Sequence, residues 1–381
     1  MIKINSQKIL FYVQHLLGIG HARRAIILCR ALSETGFQVV LATGGRPFEG
    51  LDESDAEVVQ LPSLHIGEHG FHDLRDAENR PIDEKWREQR RDQLLELFES
   101  YRPDIMITEA FPFGRRQMQF ELIPFLEQAV SKKSPPKIFC SVRDILKSNL
   151  KPGRAAETSN LIKRYYDGVL VHGDPKFAAF GETFPKTSEF EEKIFYTGIV
   201  ADEFKWHLKN RRHEILISAG GGAVGLELFE TALQARKFSK FSDATWRMLF
   251  GPNIREIDYQ HLQAQASDGV LIERYRSDFR ELLARCAVSV SQAGYNTTAD
   301  ILTTGTPAVL VPFDTDAEDE QPRRAAKLAE RGRAETILST NLTPASLAAA
   351  IDKVGNSKPF IDPEIDIDGA RRTATFFLEQ I

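Results

Sequence analysis

The chain has 381 residues, of which 42% are hydrophobic and 27% charged, and its formal net charge is −5. This composition is typical of a globular protein large enough for two domains. The acidic balance argues against broad nucleic-acid binding, which needs a strongly basic surface. No apolar stretch approaches the ~18 residues that span a bilayer, and no signal-peptide pattern precedes the first strand. The three cysteines lack CxxC spacing, so we expect a cytoplasmic protein with reduced, buried thiols.

Strand-length apolar runs alternate with helical patterns along the first half of the chain. The predicted strands span residues 8–13, 39–43, 57–61, 104–110, 137–142, 168–173 and 193–198, and the predicted helices span 22–35, 84–100, 115–130 and 156–167. Residues 62–83 show no clear periodicity and are predicted to form a long loop. Because the strands are almost continuously apolar, the alternation indicates a parallel sheet with helices on both faces.

The same pattern restarts after a polar, basic linker at residues 199–213. Strands are predicted at 214–219, 246–250, 269–275, 288–291 and 307–312, and helices at 224–238, 278–285, 296–304, 319–331, 344–354 and 367–380. The predicted fold class is therefore α/β, with two Rossmann-like domains whose parallel sheets face each other across a cleft. We expect an N-terminal domain over residues 1–199, a C-terminal domain over 200–365, and a final helix within 366–381 that packs back toward the first domain.

Glycine-rich turns between a strand and a helix occur near the start of each half. Gly18 and Gly20 form the first turn, and Gly220, Gly221 and Gly222 follow the apolar strand EILI in the second. Such a turn exposes backbone amides at a helix N-terminus, where they bind anions. Three successive glycines exceed what a tight Rossmann turn needs, so the second turn is predicted to hold a diphosphate. The pair of turns predicts a nucleotide-linked ligand between the domains.

Longer motifs follow one another in the C-terminal half. They are YTGIVADEF at the domain crossing, ILISAGGGAVG, ERYRSDFRELLARCAVSVSQAGYNTTADILTTGTPAVLVPF, and the loop that reaches Gln321; GIGHARRA stands near the N-terminus. In these motifs the chain resembles the GT-B glycosyltransferases. It is most similar to the family that adds N-acetylglucosamine to the lipid-linked muramoyl-pentapeptide of peptidoglycan. The resemblance covers essentially all of the C-terminal half, whereas in the N-terminal half only the glycine turn matches well.

The resemblance implies a donor site for a nucleoside-diphosphate sugar, such as UDP-N-acetylglucosamine, in the C-terminal domain. Donor contacts are implied for Gly220, Gly221, Gly222, Tyr275, Arg276, Gln292, Gly294, Asn296, Thr297, Asp300 and Gln321. Asp300 stands where the family usually has a glutamate that holds the donor ribose, and only one glutamine of a pair near the sugar is kept. For Asp300, the alternative is an acid favoured by the helix dipole, and for Tyr275 and Arg276 it is a surface position. These departures leave the identity of the sugar open.

His21 is the predicted catalytic base. It follows Gly20 at the start of a helix, whose positive end disfavours the imidazolium form. A neutral imidazole there can remove the proton of an acceptor hydroxyl during inverting sugar transfer. The alternative is a histidine that caps the helix or orients the acceptor. Asp144, which follows the strand KIFCSV, is the next candidate for the base.

The acceptor is predicted to bind the first domain. Gly18 and Gly20 supply the glycine turn, while Phe113, Arg115 and Arg116 follow the end of a strand, where open α/β sheets place their ligands. Aromatic rings stack on sugars, and paired arginines clamp phosphates. The alternative is a loop anchored in the core with a solvated basic pair. Any membrane contact should be peripheral, salt-sensitive and centred on Arg115 and Arg116.

No metal or other cofactor is predicted. Asp314 and Asp316 form a DxD pattern, but they lie in a loop that resembles the GT-B donor-sugar loop, and acidic turns are commonly solvated. His65, Glu68, His69 and His72 have metal-like spacing without an HExxH motif, so an acceptor-facing loop is favoured.

The function predicted from these features is metal-independent, inverting transfer of a sugar, of the hexosyltransferase class, in a bacterial protein. The acceptor is a small molecule, a glycan or a lipid-linked sugar, with no nucleic acid involved. Three alternatives stay open: a nucleotide-sugar hydrolase, a 2-epimerase of the same fold, and a catalytically silent nucleotide-sugar sensor. NAD-dependent oxidoreduction is disfavoured because the first turn lacks full GxGxxG spacing.

Overall fold

Two parallel sheets, each covered by helices, make up the computed structural model of the chain. It describes residues 7–16, 18–67, 70–148, 151–202, 213–219, 225–251, 254–274, 276–314 and 319–380. The strands of the first half are β1 (Lys8–Val13), β2 (Gln38–Thr43), β3 (Glu57–Gln60), β4 (His65–Ile66), β5 (Leu74–Arg75), β6 (Ile105–Glu109), β7 (Lys137–Arg143), β8 (Gly168–His172) and β9 (Ile194–Tyr196). Its helices are α1 (Gly20–Glu34), α2 (Glu84–Tyr101), α3 (Gln119–Val130) and α4 (Arg154–Tyr165).

The second half repeats the alternation. Its strands are β10 (Glu214–Ser218), β11 (Thr245–Phe250), β12 (Val270–Arg274), β13 (Val288–Ser291), β14 (Ala308–Leu310) and β15 (Ala334–Thr336). Its helices are α5 (Leu226–Ala235), α6 (Glu256–Gln265), α7 (Phe279–Arg285), α8 (Tyr295–Thr304), α9 (Glu320–Glu330), α10 (Pro344–Val354) and α11 (Gly369–Gln380).

Both large sheets are parallel throughout. The first has the order β3-β2-β1-β6-β7-β8-β9 and the second β12-β11-β10-β13-β14-β15. In each sheet the chain reverses its direction of strand addition beside the first strand, between β1 and β6 and between β10 and β13. The loops at such a switch point diverge and leave a crevice at the carboxyl ends of the strands. The α/β fold class predicted from the sequence is confirmed.

The strands are continuously apolar in sequence because side chains on both faces of the sheet are buried. Residues 9–13 of β1 are fully buried. Because successive side chains of a strand point to opposite faces of the sheet, these residues pack in two separate hydrophobic cores. Leu10 and Tyr12 pack in one core, and Ile9, Phe11 and Val13 in the other. The strand therefore needs helices on each side, which the βαβ connections supply.

The two halves are joined where the chain crosses twice. Ile199 donates its N–H to Asp366 O at 2.8 Å, and Gly369 donates to Ile199 O at 3.0 Å. A Cβ on Gly369 would lie 2.4 Å from Gly198 O, so this close approach requires glycine. Helix α11 then packs on α1, and its Phe377 meets Phe139 of the first sheet edge-to-face.

The structure differs from the sequence-based prediction in three places. Helix α6 and strand β15 were not predicted: Leu262 is the one α6 residue that is buried, and β15 is three residues long, so neither carries a strong periodic signal. Within the predicted loop 62–83, β4 and β5 form a short antiparallel pair.

Candidate active site

The turn between β1 and α1 separates two cavities. The donor-side cavity, of about 320 Å³, lies between the two halves and is lined by Gly20, Phe250 and Asp300 among others. The basic cavity, of about 570 Å³, lies beside the loops that follow β6 and β7 and is lined by His21 and Arg115 among others. Gly20 and His21, the first two residues of α1, thus face two adjoining cavities at the switch point of the first sheet.

His21 is paired with a carboxylate. Its Nδ1 lies 2.8 Å from Oε1 of Glu109, the last residue of β6. The Glu109 side chain is fully buried, and 18% of the His21 side chain is exposed. When the carboxylate accepts a hydrogen bond from Nδ1–H, the neutral ring keeps its free lone pair on Nε2. The pair therefore fixes the tautomer that a general base requires.

Electrostatics keep this pair in the form of neutral histidine and ionised glutamate. Burial and the Arg115 guanidinium lower the pKa of His21 to about 3. Burial opposes ionisation of Glu109, but Arg24 and the hydrogen bond with His21 outweigh it and lower the pKa of that carboxyl to about 2. At neutral pH the imidazole is therefore an available proton acceptor.

A buried hydrogen-bond chain holds Glu109 from behind. Ser141 Oγ donates to Glu109 Oε2 at 2.5 Å and lies 2.9 Å from His172 Nε2. His172 Nδ1 in turn lies 2.8 Å from Thr197 Oγ1. With both its oxygens engaged, the carboxylate cannot rotate away from His21.

Glu109 was not predicted from the sequence as a site residue. It lies 88 residues after His21, and the two meet because β1 and β6 are neighbours in the sheet. The available signal was an acidic side chain at the end of the mostly apolar strand IMITE, where open α/β sheets place their ligands.

Three of the predicted donor residues line the donor-side cavity from α8. They are Asn296, Thr297 and Asp300. Asn296 Nδ2 also donates to Gly20 O at 3.3 Å, which connects the start of α8 to the turn before His21. Gly18 and Gly20, predicted to bind the acceptor, line this cavity as well and not the basic cavity.

Asp300 already has a cationic partner. Arg280 Nε donates to Asp300 Oδ1 at 2.6 Å, and Arg280 Nη1 lies 3.0 Å from Asp202 Oδ2. Arg30 of α1 contacts the other oxygen of Asp202 at 2.7 Å. Burial raises the pKa of Asp300 above its ordinary value, against the opposing charge of Arg280. One carboxylate oxygen is thus taken by Arg280, and Oδ2 is the oxygen that could accept from a ribose hydroxyl.

The other predicted donor residues are divided between described and undescribed parts of the chain. Gly220, Gly221, Gly222 and Tyr275 lie outside the described residues. Arg276 lines the donor-side cavity and is held by Asp278 through two hydrogen bonds of 2.7 Å. Gln292 and Gly294 form the turn between β13 and α8, where Gly294 is the N-cap.

Gln321 lies in the first turn of α9. Its Oε1 accepts from Ala293 N at 3.1 Å and from Phe313 N at 3.0 Å. The side chain therefore bridges the loops after β13 and β14 and leaves its amide group as a donor.

Asp144, the alternative base, is ion-paired across the two halves. Its Oδ1 lies 2.9 Å from Nη2 of Arg324 on α9, and both side chains are 1% exposed. Arg324 also contacts Glu320 at 2.9 Å, and Glu320 contacts Arg143, the neighbour of Asp144. This arrangement gives Asp144 an anchoring position, and its role as a base stays a prediction.

The predicted acceptor residues after β6 line the basic cavity. Phe113 packs edge-to-face on Phe180 and Phe184, with ring centroids 5.1 and 5.0 Å away. Arg115 Nε donates to Gln14 O at 2.6 Å, and Arg116 is paired with Glu157. The phenylalanine is thus anchored in an aromatic cluster, as the alternative interpretation expected, while the arginines border the cavity.

Across the described ranges, no three His, Cys, Asp or Glu side chains come together as metal ligands would. His65 contacts Arg46 and Asn79, whereas Glu68, His69 and Asp316 lie outside the description. Within the part of the chain that is described, no helix is both long and apolar enough to cross a membrane.

Known proteins resemble this chain in both sequence and fold. Residues 216–371 match the glycosyltransferase family 28 C-terminal domain. Two relatives are UDP-N-acetylglucosamine–N-acetylmuramyl-(pentapeptide) pyrophosphoryl-undecaprenol N-acetylglucosamine transferases. The protein of Rhizobium johnstonii is 26% identical over 352 residues, which cover 91% of this chain and 85% of the relative. The protein of Rhizobium etli is 26% identical over 185 residues, which cover 46% of this chain and 48% of the relative.

Solved structures extend the likeness to the whole chain. The glycotransferase of kitacinnamycin has a TM-score of 0.65 at 14% identity and covers 99% of this chain and 100% of its own. MurG of Acinetobacter baumannii has a TM-score of 0.59 at 14% identity, with coverage of 98% and 100%. These likenesses confirm the resemblance predicted from the sequence. The chain carries a glycosyltransferase family 28 C-terminal domain on a GT-B fold, and it is a glycosyltransferase.

Proposed function

We propose that the protein transfers a sugar from a UDP-linked donor to an acceptor hydroxyl, with inversion at the anomeric carbon. The observation that carries the proposal is the His21–Glu109 pair at the boundary between the donor-side cavity and the basic cavity. The two relatives act on UDP-N-acetylglucosamine, as their names state, so this is the first donor to test.

The proposed chemistry begins with the acceptor in the basic cavity. Its hydroxyl gives a proton to Nε2 of His21 while its oxygen bonds to the anomeric carbon and the bond to the diphosphate breaks. Glu109 stabilises the imidazolium that forms, because it is ionised and hydrogen-bonded to Nδ1. The nucleophile and the leaving group approach from adjoining cavities on opposite sides of the turn, which favours a single displacement and hence inversion.

The nucleotide is proposed to lie in the donor-side cavity. Asp300 accepts from a ribose hydroxyl, Gln321 donates to the sugar, and backbone N–H groups of Gly220, Gly221 and Gly222 receive the diphosphate. In this proposal, backbone amides and a helix N-terminus stabilise the negative charge of the leaving group, and no metal ion is required.

A panel of nucleotide sugars tests the function directly. The protein is incubated with each donor, with and without candidate acceptors, and free UDP and the anomeric configuration of the product are measured. Acceptor-dependent UDP release with an inverted product is expected. Release at a turnover rate without acceptor would indicate a hydrolase, an isomerised intact donor an epimerase, and binding without turnover a sensor.

Asp300→Ala is expected to weaken UDP binding by about 1.5–3 kcal/mol, since a hydrogen bond to a charged group is lost. Calorimetry with UDP and with 2′,3′-dideoxy-UDP measures this loss. The dideoxy analogue should bind the parent and the variant equally. Asp258→Ala, which removes a carboxylate of α6 outside the cavity, is the control. A loss that is equal for both nucleotides would contradict the ribose assignment.

Chelation is expected to leave the transfer rate unchanged. Rates with the donor and acceptor found by the panel are measured before and after EDTA treatment and dialysis. Loss of activity that manganese restores would contradict the proposal and would indicate Asp314 and Asp316 as metal ligands.

A further inference from the structure

Tyr295 is a buried aromatic residue at the contact between the two halves. It is the first residue of α8, and 6% of it is exposed. The next two residues of the helix, Asn296 and Thr297, line the donor-side cavity. Tyr295 is not among the described lining residues of the donor-side cavity or of the basic cavity. It therefore belongs to the helix that contacts the proposed donor without contacting either ligand space itself.

The hydroxyl of Tyr295 is bound to the backbone at the end of the first sheet and at the domain crossing. It donates to His172 O, at the end of β8, at 2.9 Å and accepts from Val200 N at 2.8 Å. From the same helix start, Asn296 Nδ2 donates to Gly20 O at 3.3 Å. The N-terminal end of α8 is therefore fixed to the end of β8, to the domain crossing and to the turn that precedes α1.

Two residues that contact Tyr295 also hold the two oxygens of Glu109. Arg24, whose guanidinium carbon lies 5.0 Å from the centre of the Tyr295 ring, is paired with Oε1 of the glutamate. His172, whose carbonyl accepts from the Tyr295 hydroxyl, has its Nε2 2.9 Å from Ser141 Oγ. Ser141 in turn donates to Oε2 of the glutamate. The contacts of the tyrosine thus converge on the carboxylate that orients the proposed base.

The ring of Tyr295 helps to fix the position of Arg24. The arginine side chain is 2% exposed, and its Nε is buried without a hydrogen-bond partner among the described residues. A guanidinium over an aromatic face is attracted by the ring, and more strongly when both groups are removed from water. Burial raises the pKa of the Glu109 carboxyl, whereas the Arg24 charge lowers it. By keeping this charge beside the carboxyl, the ring favours an ionised glutamate.

We propose that Tyr295 is a positioning residue for the general base. Through Arg24 and His172, it keeps the Glu109 carboxylate in one orientation. That orientation binds Nδ1 of His21 and leaves the Nε2 lone pair free for the proton of the acceptor hydroxyl. The inference rests on the proposed function in one respect, that His21 is the base.

This assignment makes the base depend on contact between the two halves. Tyr295 belongs to the C-terminal half, whereas His21 and Glu109 belong to the N-terminal half. A general base must lie within hydrogen-bond reach of the proton that it removes. If the halves separate, the tyrosine no longer contacts Arg24 or the His172 carbonyl, and the carboxylate loses both supports. Proton removal is therefore efficient only while the helix that contacts the donor is docked on the first half.

Tyr295→Phe tests the hydroxyl contacts while keeping the ring. Its kcat is expected to fall by about 10-fold, because a small misplacement of a catalytic group can cost up to about 10²-fold in rate. UDP affinity is expected to change by less than about 2-fold, since the residue does not act on the ground state of the donor. Steady-state rates with the donor and acceptor from the panel, together with UDP calorimetry, measure both effects. Tyr295→Leu, which also removes the ring, should lower kcat further.

Tyr259→Phe is the matched control. The Tyr259 hydroxyl lies 3.4 Å from Ile272 O, and the guanidinium carbon of Arg274 lies 4.1 Å from the centre of its ring. This tyrosine of α6 thus makes the same kinds of contact as Tyr295, but within the C-terminal half. Its replacement should leave both kcat and UDP affinity unchanged.

Proton NMR tests the positioning without turnover. The Nδ1–H of a histidine bound to a carboxylate resonates far downfield, and the resonance of His21 is identified by its loss in His21→Ala. The parent and Tyr259→Phe are expected to show the same sharp resonance. In Tyr295→Phe the resonance is expected to broaden through exchange with water, because Glu109 is held less firmly.

Three results would overturn the inference. They are a kcat of Tyr295→Phe equal to that of the control, an unchanged His21 resonance, and a loss of UDP affinity as large as the loss of kcat. The last result would place Tyr295 in the donor site instead. A parent protein without transfer activity would refute the proposed function, whereas a resonance that broadens only in Tyr295→Phe would still support the link between this tyrosine and the His21–Glu109 pair.

Discussion

Replacing His21 with alanine is expected to lower kcat by about 10²–10⁴-fold, the usual cost of losing a general base. UDP affinity should stay within a few-fold of the parent value, because the proposed nucleotide contacts come from the C-terminal half. The free lone pair of Nε2 disappears with the ring, while the buried Glu109 keeps its partners Arg24 and Ser141. Steady-state rates with the donor and acceptor from the panel, together with UDP calorimetry, measure the two effects separately.

The pH profile of the parent gives an independent check on the same residue. Because burial and the Arg115 charge lower the pKa of His21 to about 3, the imidazole is neutral above that pH and protonated only below it. Its protonation should therefore not lower kcat/KM between roughly pH 8 and pH 5, whereas an ordinary histidine has a pKa of about 6.5 and would titrate within that range. A fall in kcat/KM with an apparent pKa near this ordinary value, absent in the variant, would contradict the buried, charge-shifted environment.

Two further variants separate a base from a structural histidine. His261→Ala removes an exposed imidazole of α6 and should leave both kcat and UDP affinity unchanged. Glu109→Gln removes the charge that stabilises the imidazolium, so kcat should fall while KM changes little. If His21→Ala retains its turnover, or loses UDP binding in proportion to activity, the histidine is structural and Asp144 becomes the candidate to test.

The sequence predicted the fold better than the site because the two depend on different information. Strand and helix periods are local, and the alternation alone indicated a parallel sheet with helices on both faces. The position of His21 could also be predicted from local sequence, because the residue follows a strand and a glycine turn at the start of a helix. The short or weakly amphipathic elements, α6 and β15, had no local signal strong enough to reveal them.

The partners of the site residues required knowledge of the strand order. Glu109 reaches His21 only because β6 lies beside β1, and Arg280 reaches Asp300 only because α7 packs on α8. Likewise, the motif around Phe113 could not show that its ring belongs to an aromatic cluster while Arg115 lines a cavity. Side-chain pairs that form through non-local contacts cannot be predicted from the spacing of residues within one segment.

The contact between the halves is expected to be the most sensitive point for stability. Arg324→Met should lower the free energy of unfolding by about 3–5 kcal/mol, because removing one partner of a buried ion pair leaves the other charge uncompensated. Asp144 and Arg324 are each 1% exposed and 2.9 Å apart. Arg324 Nη1 also donates to Ala293 O at 3.3 Å, in the turn before α8. Its loss therefore removes contacts to both halves of the molecule at once.

Denaturant titration monitored by circular dichroism measures this loss, with Arg255→Met as the matched control. The Arg255 side chain is 71% exposed and pairs with Asp258 of α6, so its removal should cost less than about 1 kcal/mol. The double variant Asp144→Asn, Arg324→Met should be more stable than the sum of the two single effects predicts, by about 1–3 kcal/mol, since it no longer buries the unpaired Asp144 charge. Additive losses would show that the two charges are not coupled, and an Arg324→Met variant as stable as the control would show that the ion pair is dispensable for stability.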